Sequence, residues 1–288
     1  MTQPYKSHAK VNLFLRIIGK RPDGYHNIQS IFQLIDLHDE IIIKKRKDSL
    51  IKIKCNIKEI ENNNLINKSI DHFLDYTQLS NIGLDIILKK NIPIGGGLGG
   101  GSSNAATCLM ALNEIYKTKL STIQLQRIAR QIGCDVPFFL HQKNAWVEGT
   151  GDIITPIFIK PIWLVMIFSK HNISTSDIFS KYIHKNHFKE FSYDDYLENN
   201  TVNDFEKIVF KYYPSIHQSY KHLSGYGKAR MTGTGGTVFL PLSSYEDAKK
   251  VVSRLPKKEI SIITKSSSWL IEKIVKGTPI LLFRFPFV

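Results

Sequence analysis

The chain has 288 residues, 42% of them apolar, enough for one large or two modest domains with a full core. Thirty-nine Lys and Arg stand against 25 Asp and Glu, a formal charge of +14, which points to anionic partners: nucleic acid, a membrane surface or an anionic small molecule. The lysines are scattered among Ile and Asn rather than clustered, so compositional bias is a simpler source of the charge than a binding surface, and neither nucleic acid nor membrane is expected as a partner. Cys55, Cys108 and Cys134 have no paired or metal-like spacing, which fits a reducing compartment. The apolar stretch 11–18 is broken by Asn12 and Arg16, and the run 162–168 is too short to span a bilayer. A soluble cytoplasmic protein is expected, as a monomer or weak homodimer.

Ala9, Val11, Leu13, Leu15 and Ile17 alternate with Lys10, Asn12, Phe14 and Arg16. That is the period of a half-buried strand, with Lys10 and Asn12 together on the face opposite the apolar row. Residues 19–24 carry turn chemistry, and Tyr25 and His26 stand at its exit. Residues 28–37 are ambiguous: Ile28, Ile31, Phe32 and Ile35 fit helical spacing, while the β-branched and aromatic content fits a strand. Strands are expected over 39–47, 50–57 and 83–88, with a helix from Asn64 between the last two.

The next stretch dominates the sequence. It reads Pro93, Ile94, then Gly95, Gly96 and Gly97, Leu98, then Gly99, Gly100 and Gly101, followed by Ser102 and Ser103. Glycines let backbone N–H groups approach a ligand with no Cβ in the way. A helix starting at the serines would aim its unpaired N–H groups and positive dipole end at the loop. Together they describe an anion cradle, most naturally for a nucleotide phosphate. No Gly-Lys-Ser/Thr closes the loop, so it is not a P-loop.

The helix opened by the serines carries Ala105, Ala106, Leu109, Leu112 and Ile115 on one face; a second helix follows over 122–132, then Cys134-Asp135-Val136-Pro137-Phe138-Phe139, an acid in an apolar turn. Pro156 and Pro161 flank a linker, giving expected domains of residues 1–158 and 159–288. The second half reads as a strand over 163–168, helices over 176–183 and 203–213, a second glycine turn at 231–237 entering a strand at 238–240, a helix over 245–255 and a last strand at 280–285.

Phosphoryl transfer needs a donor cradle, positive charge for the moving oxygens and a group that orients or deprotonates the acceptor. Lys10 is the candidate cation, or simply an exposed strand lysine. Asp135 is the candidate base, since a buried carboxylate needs a partner and Lys10 can be one; it is equally a turn residue after a helix. Tyr25 and His26 can stack on a base or sugar, or serve the turn. His184 and His187 have a loosely metal-like spacing amid lysines, and no structural metal is expected.

The loop, Lys10, Asp135 and the Met231 turn together resemble the GHMP kinase superfamily. The markers are Ala9-Lys10-Val11-Asn12-Leu13, Arg21-Pro22-Asp23-Gly24-Tyr25-His26, the long glycine loop through Ala106, and residues 133–139. The Pro-Asp-Gly-Tyr-His segment resembles the branch that acts on a cytidyl substrate. This resemblance implies an α+β, two-domain architecture, with an N-terminal domain like ribosomal protein S5 domain 2 and a ferredoxin-like C-terminal domain. It implies ATP- and Mg2+-dependent phosphorylation of the 2-hydroxyl of a methylerythritol carrying a cytidine diphosphate group, in non-mevalonate isoprenoid synthesis. Asp135 then matches the catalytic base and Lys10 the residue that polarises the acceptor. Residues 93–103 match the ATP-phosphate loop and Asn64 a position on the adenine side. Asn12, Tyr25, His26, Thr175 and Phe179 match the substrate pocket. Thr232 and Thr234 stand where serines are usual, and Lys170-His171-Asn172 replaces a proline–glycine entry to the Thr175 segment. Two alternatives remain: another GHMP kinase, such as a homoserine or mevalonate kinase, and an RNA-binding module with an S5-like fold.

Overall fold

A computed structural model of the chain describes residues 3–61, 64–183, 191–198 and 202–267. His184, His187 and the strand expected at 280–285 lie outside them. The first half is built on a long antiparallel hairpin, β1 (Tyr5–Lys20) and β2 (His26–Arg46). β2 is continuous through the ambiguous residues 28–37, because its branched and aromatic side chains pack on both faces of the sheet. It is followed by β3 (Ile51–Cys55), α1 (Leu65–Thr77), β4 (Gly83–Lys89), α2 (Gly100–Tyr116), α3 (Thr122–Ile132), α4 (Val136–His141), β5 (Ala145–Glu148) and β6 (Ile153–Pro156). The sheet order is β3-β4-β2-β5-β6, with β1 also paired to β2; only β3 and β4 run parallel.

The second half contains β7 (Trp163–Phe168), α5 (Thr175–Ser180), α6 (Tyr193–Leu197), α7 (Glu206–Tyr212), α8 (Pro214–Ser224), β8 (Arg230–Met231), β9 (Thr237–Leu242), α9 (Tyr245–Arg254) and β10 (Ile260–Lys265). Its sheet is antiparallel, in the order β10-β7-β9-β8. The chain is thus α+β with two sheets. Among the described residues no helix is long and apolar enough to cross a membrane.

Helices α1 to α4 cover one face of the first sheet, around Phe32, Phe73, Leu109, Ile128 and Phe138. The other face meets the second sheet through Val11, Leu13, Ile31 and Ile35 on one side and Leu164, Met166 and Phe239 on the other. The expected half-buried strand is therefore corrected: β1 is buried on both faces from Ala9 to Leu15. Its alternation separates two covered layers. Lys10 and Asn12, paired with Leu34 and Phe32, look into the helical layer.

Leu164 is fully buried between the sheets. Leu164→Ala should lower stability by about 2–5 kcal/mol, read as a lower urea midpoint at unchanged m value.

Candidate active site

Helix α2 begins at Gly100, two residues before the expected start, with Gly99 as its cap at φ 69°. Ser103 N–H donates to Gly99 O at 2.8 Å, so both serines lie within the first turn. The loop's shape follows from what it touches. A Cβ on Gly97 (φ 71°) would lie 2.5 Å from Thr232 O and 2.8 Å from Gly235 O. Its Leu98 is buried between the sheets, and Leu98 O accepts Lys10 N–H at 3.0 Å. The two glycine-rich turns thus pack backbone to backbone, anchored by one leucine, with the N-terminus of α2 beside them.

A buried polar network backs the loop. Asp39 is fully buried and accepts from Asn91 N (2.7 Å), Ile92 N (2.8 Å) and Asn104 Nδ2 (2.8 Å), and it pairs with Lys90 Nζ. Lys90 Nζ also donates to Asn104 Oδ1 at 3.1 Å, directly under Gly100. Asn104 reaches Ser7, whose hydroxyl donates to Ser103 Oγ at 2.8 Å. Sequence reasoning missed Asp39 and Lys90. The available signal was an acid standing in phase with Ile41 and Ile43 in an apolar row.

Lys10 and Asp135 meet beyond Gly99. Lys10 Nζ lies 3.4 Å from Asp135 Oδ2, 4.1 Å from the Phe32 ring centre and 2.6 Å from Asn12 Oδ1, to which it donates. Burial pushes the Lys10 ammonium below the usual lysine range, and Asp135 opposes that shift. The side chains are 5% and 32% exposed, so the lysine is enclosed while the carboxylate can be reached. Asp135 stands between the Gly133 end of α3 and the start of α4, with its carboxylate left free of capping. Asn12 is committed at both ends. Its Oδ1 also accepts from Thr232 Oγ1 at 3.3 Å, and its Nδ2 donates to Ser30 Oγ at 2.9 Å. Ser30 and Thr232, unassigned from sequence, therefore fix the carboxamide that holds Lys10.

The expected base pocket also comes together in part. His26 is nearly buried, its ring centre 5.2 Å from that of Phe179 and 6.3 Å from that of Tyr182. Tyr25 is 58% exposed, with its N–H on Asp23 Oδ1 at 3.1 Å. Thr175 Oγ1 lies 3.2 Å from Thr234 Oγ1, which ties α5 to the second glycine turn. Asn64 caps α1: its Oδ1 accepts from Ile66 N and Asn67 N, and its Nδ2 donates to Ile60 O and Glu61 O. Leu65 beside it lies close to Gly101. Among the described residues no cluster of three or more His, Cys, Asp or Glu gathers as a metal site.

A glycine cradle at a helix N-terminus, faced by an enclosed ammonium and an accessible carboxylate, defines the class: a kinase for small molecules. Residues 64–143 match the family model of the GHMP kinases N terminal domain, and residues 180–261 that of the GHMP kinases C terminal. The chain is 37% identical over 287 residues to the 4-diphosphocytidyl-2-C-methyl-D-erythritol kinase of Ruthia magnifica subsp. Calyptogena magnifica, spanning 95% of this chain and 100% of the relative. It is 40% identical over 277 residues to the enzyme of that name from Buchnera aphidicola subsp. Schizaphis graminum, spanning 92% and 94%. The crystal structure of a 4-(cytidine 5'-diphospho)-2C-methyl-D-erythritol kinase superposes with a TM-score of 0.80 at 25% identity, covering 91% of this chain and 98% of that one. The chain belongs to the GHMP kinase family and, within it, to the 4-diphosphocytidyl-2-C-methyl-D-erythritol kinases.

Gly97→Ala would place a methyl group against two carbonyl oxygens at a positive φ. ATP affinity should fall at least about tenfold, a loss of roughly 1.4 kcal/mol, measured by calorimetry. Glu206 accepts Met231 N–H at 3.3 Å, and burial pushes its carboxyl up to about 7. Because this pKa is raised on folding, its contribution to stability is complete below the unfolded carboxyl range and is lost as pH rises through 7. Glu206→Gln should remove roughly 1–3 kcal/mol of the decline in stability between pH 5 and pH 8, read from urea titrations at each pH.

Proposed function

We propose that the protein transfers the γ-phosphoryl group of ATP to the 2-hydroxyl of 4-diphosphocytidyl-2-C-methyl-D-erythritol, giving the 2-phosphate and ADP. The Lys10–Asp135 pair at the mouth of the glycine cradle carries this reading, together with a chain-length similarity to enzymes of that name. Ile94, Leu98 and the six glycines hold the ATP phosphates through backbone N–H groups, and Pro93, which has no N–H, fixes the entry to the loop. Ser102 and Ser103, in the first turn of α2, add hydroxyls and the helix's positive end. Asn64 and Leu65 border the adenine side.

Asp135 takes the proton of the acceptor hydroxyl as its oxygen attacks the γ-phosphorus and the bond to the bridging oxygen of ADP breaks. Lys10 pairs with the Asp135 carboxylate before the reaction and faces the charge that builds on the transferring oxygens. Asn12 acts through Lys10, fixing the ammonium in place. His26 reads the cytosine edge, with Phe179 on one side of the base and the exposed Tyr25 free to close on the other.

Mg2+ takes few protein ligands and is held mainly through phosphates. The partly exposed Ser102 hydroxyl is the side-chain donor at the cradle that would fit it. When bound, Mg2+ would neutralise charge on the phosphate oxygens. The protein acts in the cytoplasm as a monomer or weak homodimer. Its domains divide at residues 158 and 159, in the segment that joins β6 to β7.

Asp135→Asn should lower kcat by roughly 10²–10⁴-fold, the usual contribution of a general base, with ATP affinity little changed in calorimetry. CDP should raise the melting temperature of the wild type, while mevalonate and homoserine should not. Turnover of either of those alcohols in place of the cytidyl substrate would overturn the assignment.

A further inference from the structure

Sequence periodicity places residues 203–206 of the segment Val202-Asn203-Asp204-Phe205-Glu206 inside a helix running to Tyr213, but α7 begins only at Glu206. In the structure they tie together three parts of the site. Asn203 is buried at 6% exposure, and its Nδ2 donates to both Met231 O (3.0 Å) and Gly233 O (2.8 Å). Its Oδ1 accepts from Phe205 N–H at 3.0 Å. Those two carbonyls flank Thr232, the residue that bonds Asn12 and Gly97 O.

The neighbouring residues bind β1. Leu15 N donates to Val202 O at 3.0 Å, Asp204 N donates to Leu15 O at 2.9 Å, and Asp204 Oδ2 accepts Ile17 N–H at 2.8 Å. This contact falls where the β1–β2 register breaks, between Asn12 and Leu15. Phe205 is fully buried, with its ring edge-on to Phe179 (4.7 Å) and to Tyr182 (5.7 Å), the two rings that flank His26.

Only a carboxamide gives two donors and one acceptor at this point. Aspartate has the same shape and no donor. We propose that Asn203 is a positioning residue for phosphoryl transfer, holding the Met231 turn against the phosphate loop, while Phe205 on the same segment sets the wall of the base pocket. This rests on the kinase reading above. The segment thereby keeps donor and acceptor halves of the site in register without touching either substrate. The cost of misplacement is in the transfer step, where small errors of alignment matter most.

The test is a pair of variants measured with two ligands and in turnover. Asn203→Asp turns two donated bonds into contacts between oxygens. It should weaken binding of a non-hydrolysable ATP analogue about tenfold and lower kcat further, while CDP affinity stays within about twofold. Phe205→Leu should do the reverse, weakening CDP and sparing the ATP analogue. Asn203→Ala should follow Asn203→Asp more mildly, and it replaces that variant if the carboxylate prevents folding. The proposal is overturned if both ligands weaken in parallel in every variant, if neither changes, or if both Asn203 variants fail to fold. Wild-type protein that binds both nucleotides without phosphorylating the cytidyl substrate would instead defeat the reading of the reaction, and the binding measurements would still decide the role of Asn203.

Discussion

One ammonium group sits where the parts of this molecule meet. Lys10 Nζ is enclosed between Asn12, the Phe32 ring and Asp135, and a charge so placed is tolerated only with partners on every side. That requirement reaches outward. β1 must carry Lys10 into the helical layer, so the strand's other face is free to meet the second sheet. Position 99 must be glycine, because a Cβ there would lie 2.8 Å from the Phe139 ring and 3.2 Å from Lys10 Cε. Asp135 must stand in the short turn between α3 and α4, where its carboxylate reaches the ammonium and remains partly exposed.

The glycine loop answers a second constraint. A seven-residue stretch with six glycines loses much conformational freedom on folding, and by itself it would not hold one shape. Leu98 anchors its centre in the inter-sheet core, the Met231 turn lies against its backbone, and the Asp39–Lys90–Asn104 network fixes the first turn of α2 behind it. The cradle is flexible in composition and fixed in context. Preorganised donors of this kind stabilise developing charge without rearranging during the reaction.

Much of the fold was legible in the sequence, for reasons that also mark the limits. β1, α2, α3, β7 and α9 follow from periodicity and apolar runs in the sequence. β5 and β6 are four residues each and carry too little pattern; α4, expected as a turn, and α6, α8 and β10 were not anticipated. The alternation of β1 could not say whether its polar face met water or helices. In the site, residue types singled out the loop, Lys10, Asp135 and His26 as candidates and the family resemblance added Phe179; the fold brings Lys10 to Asp135 and His26 to Phe179. Which side chains hold them was not legible. Ser30, Thr232, Asp39, Lys90 and Asn203 make contacts across 14 to 220 positions of chain, and local pattern does not say which partner each will find. Asn12 shows the same limit: its residue type fits a substrate contact, whereas its bonds commit it to Lys10, Ser30 and Thr232.

The central claim is that Lys10 and Asp135 act as one unit, and a double-mutant cycle in kcat tests it most directly. Lys10→Met and Asp135→Asn are made singly and together, and turnover of the cytidyl substrate is measured at saturating Mg-ATP. If the pair is a unit, each single variant is slow and the double variant is no more than a few-fold slower than the slower single. Losses that multiply would mean that the two residues work independently, and would contradict the account.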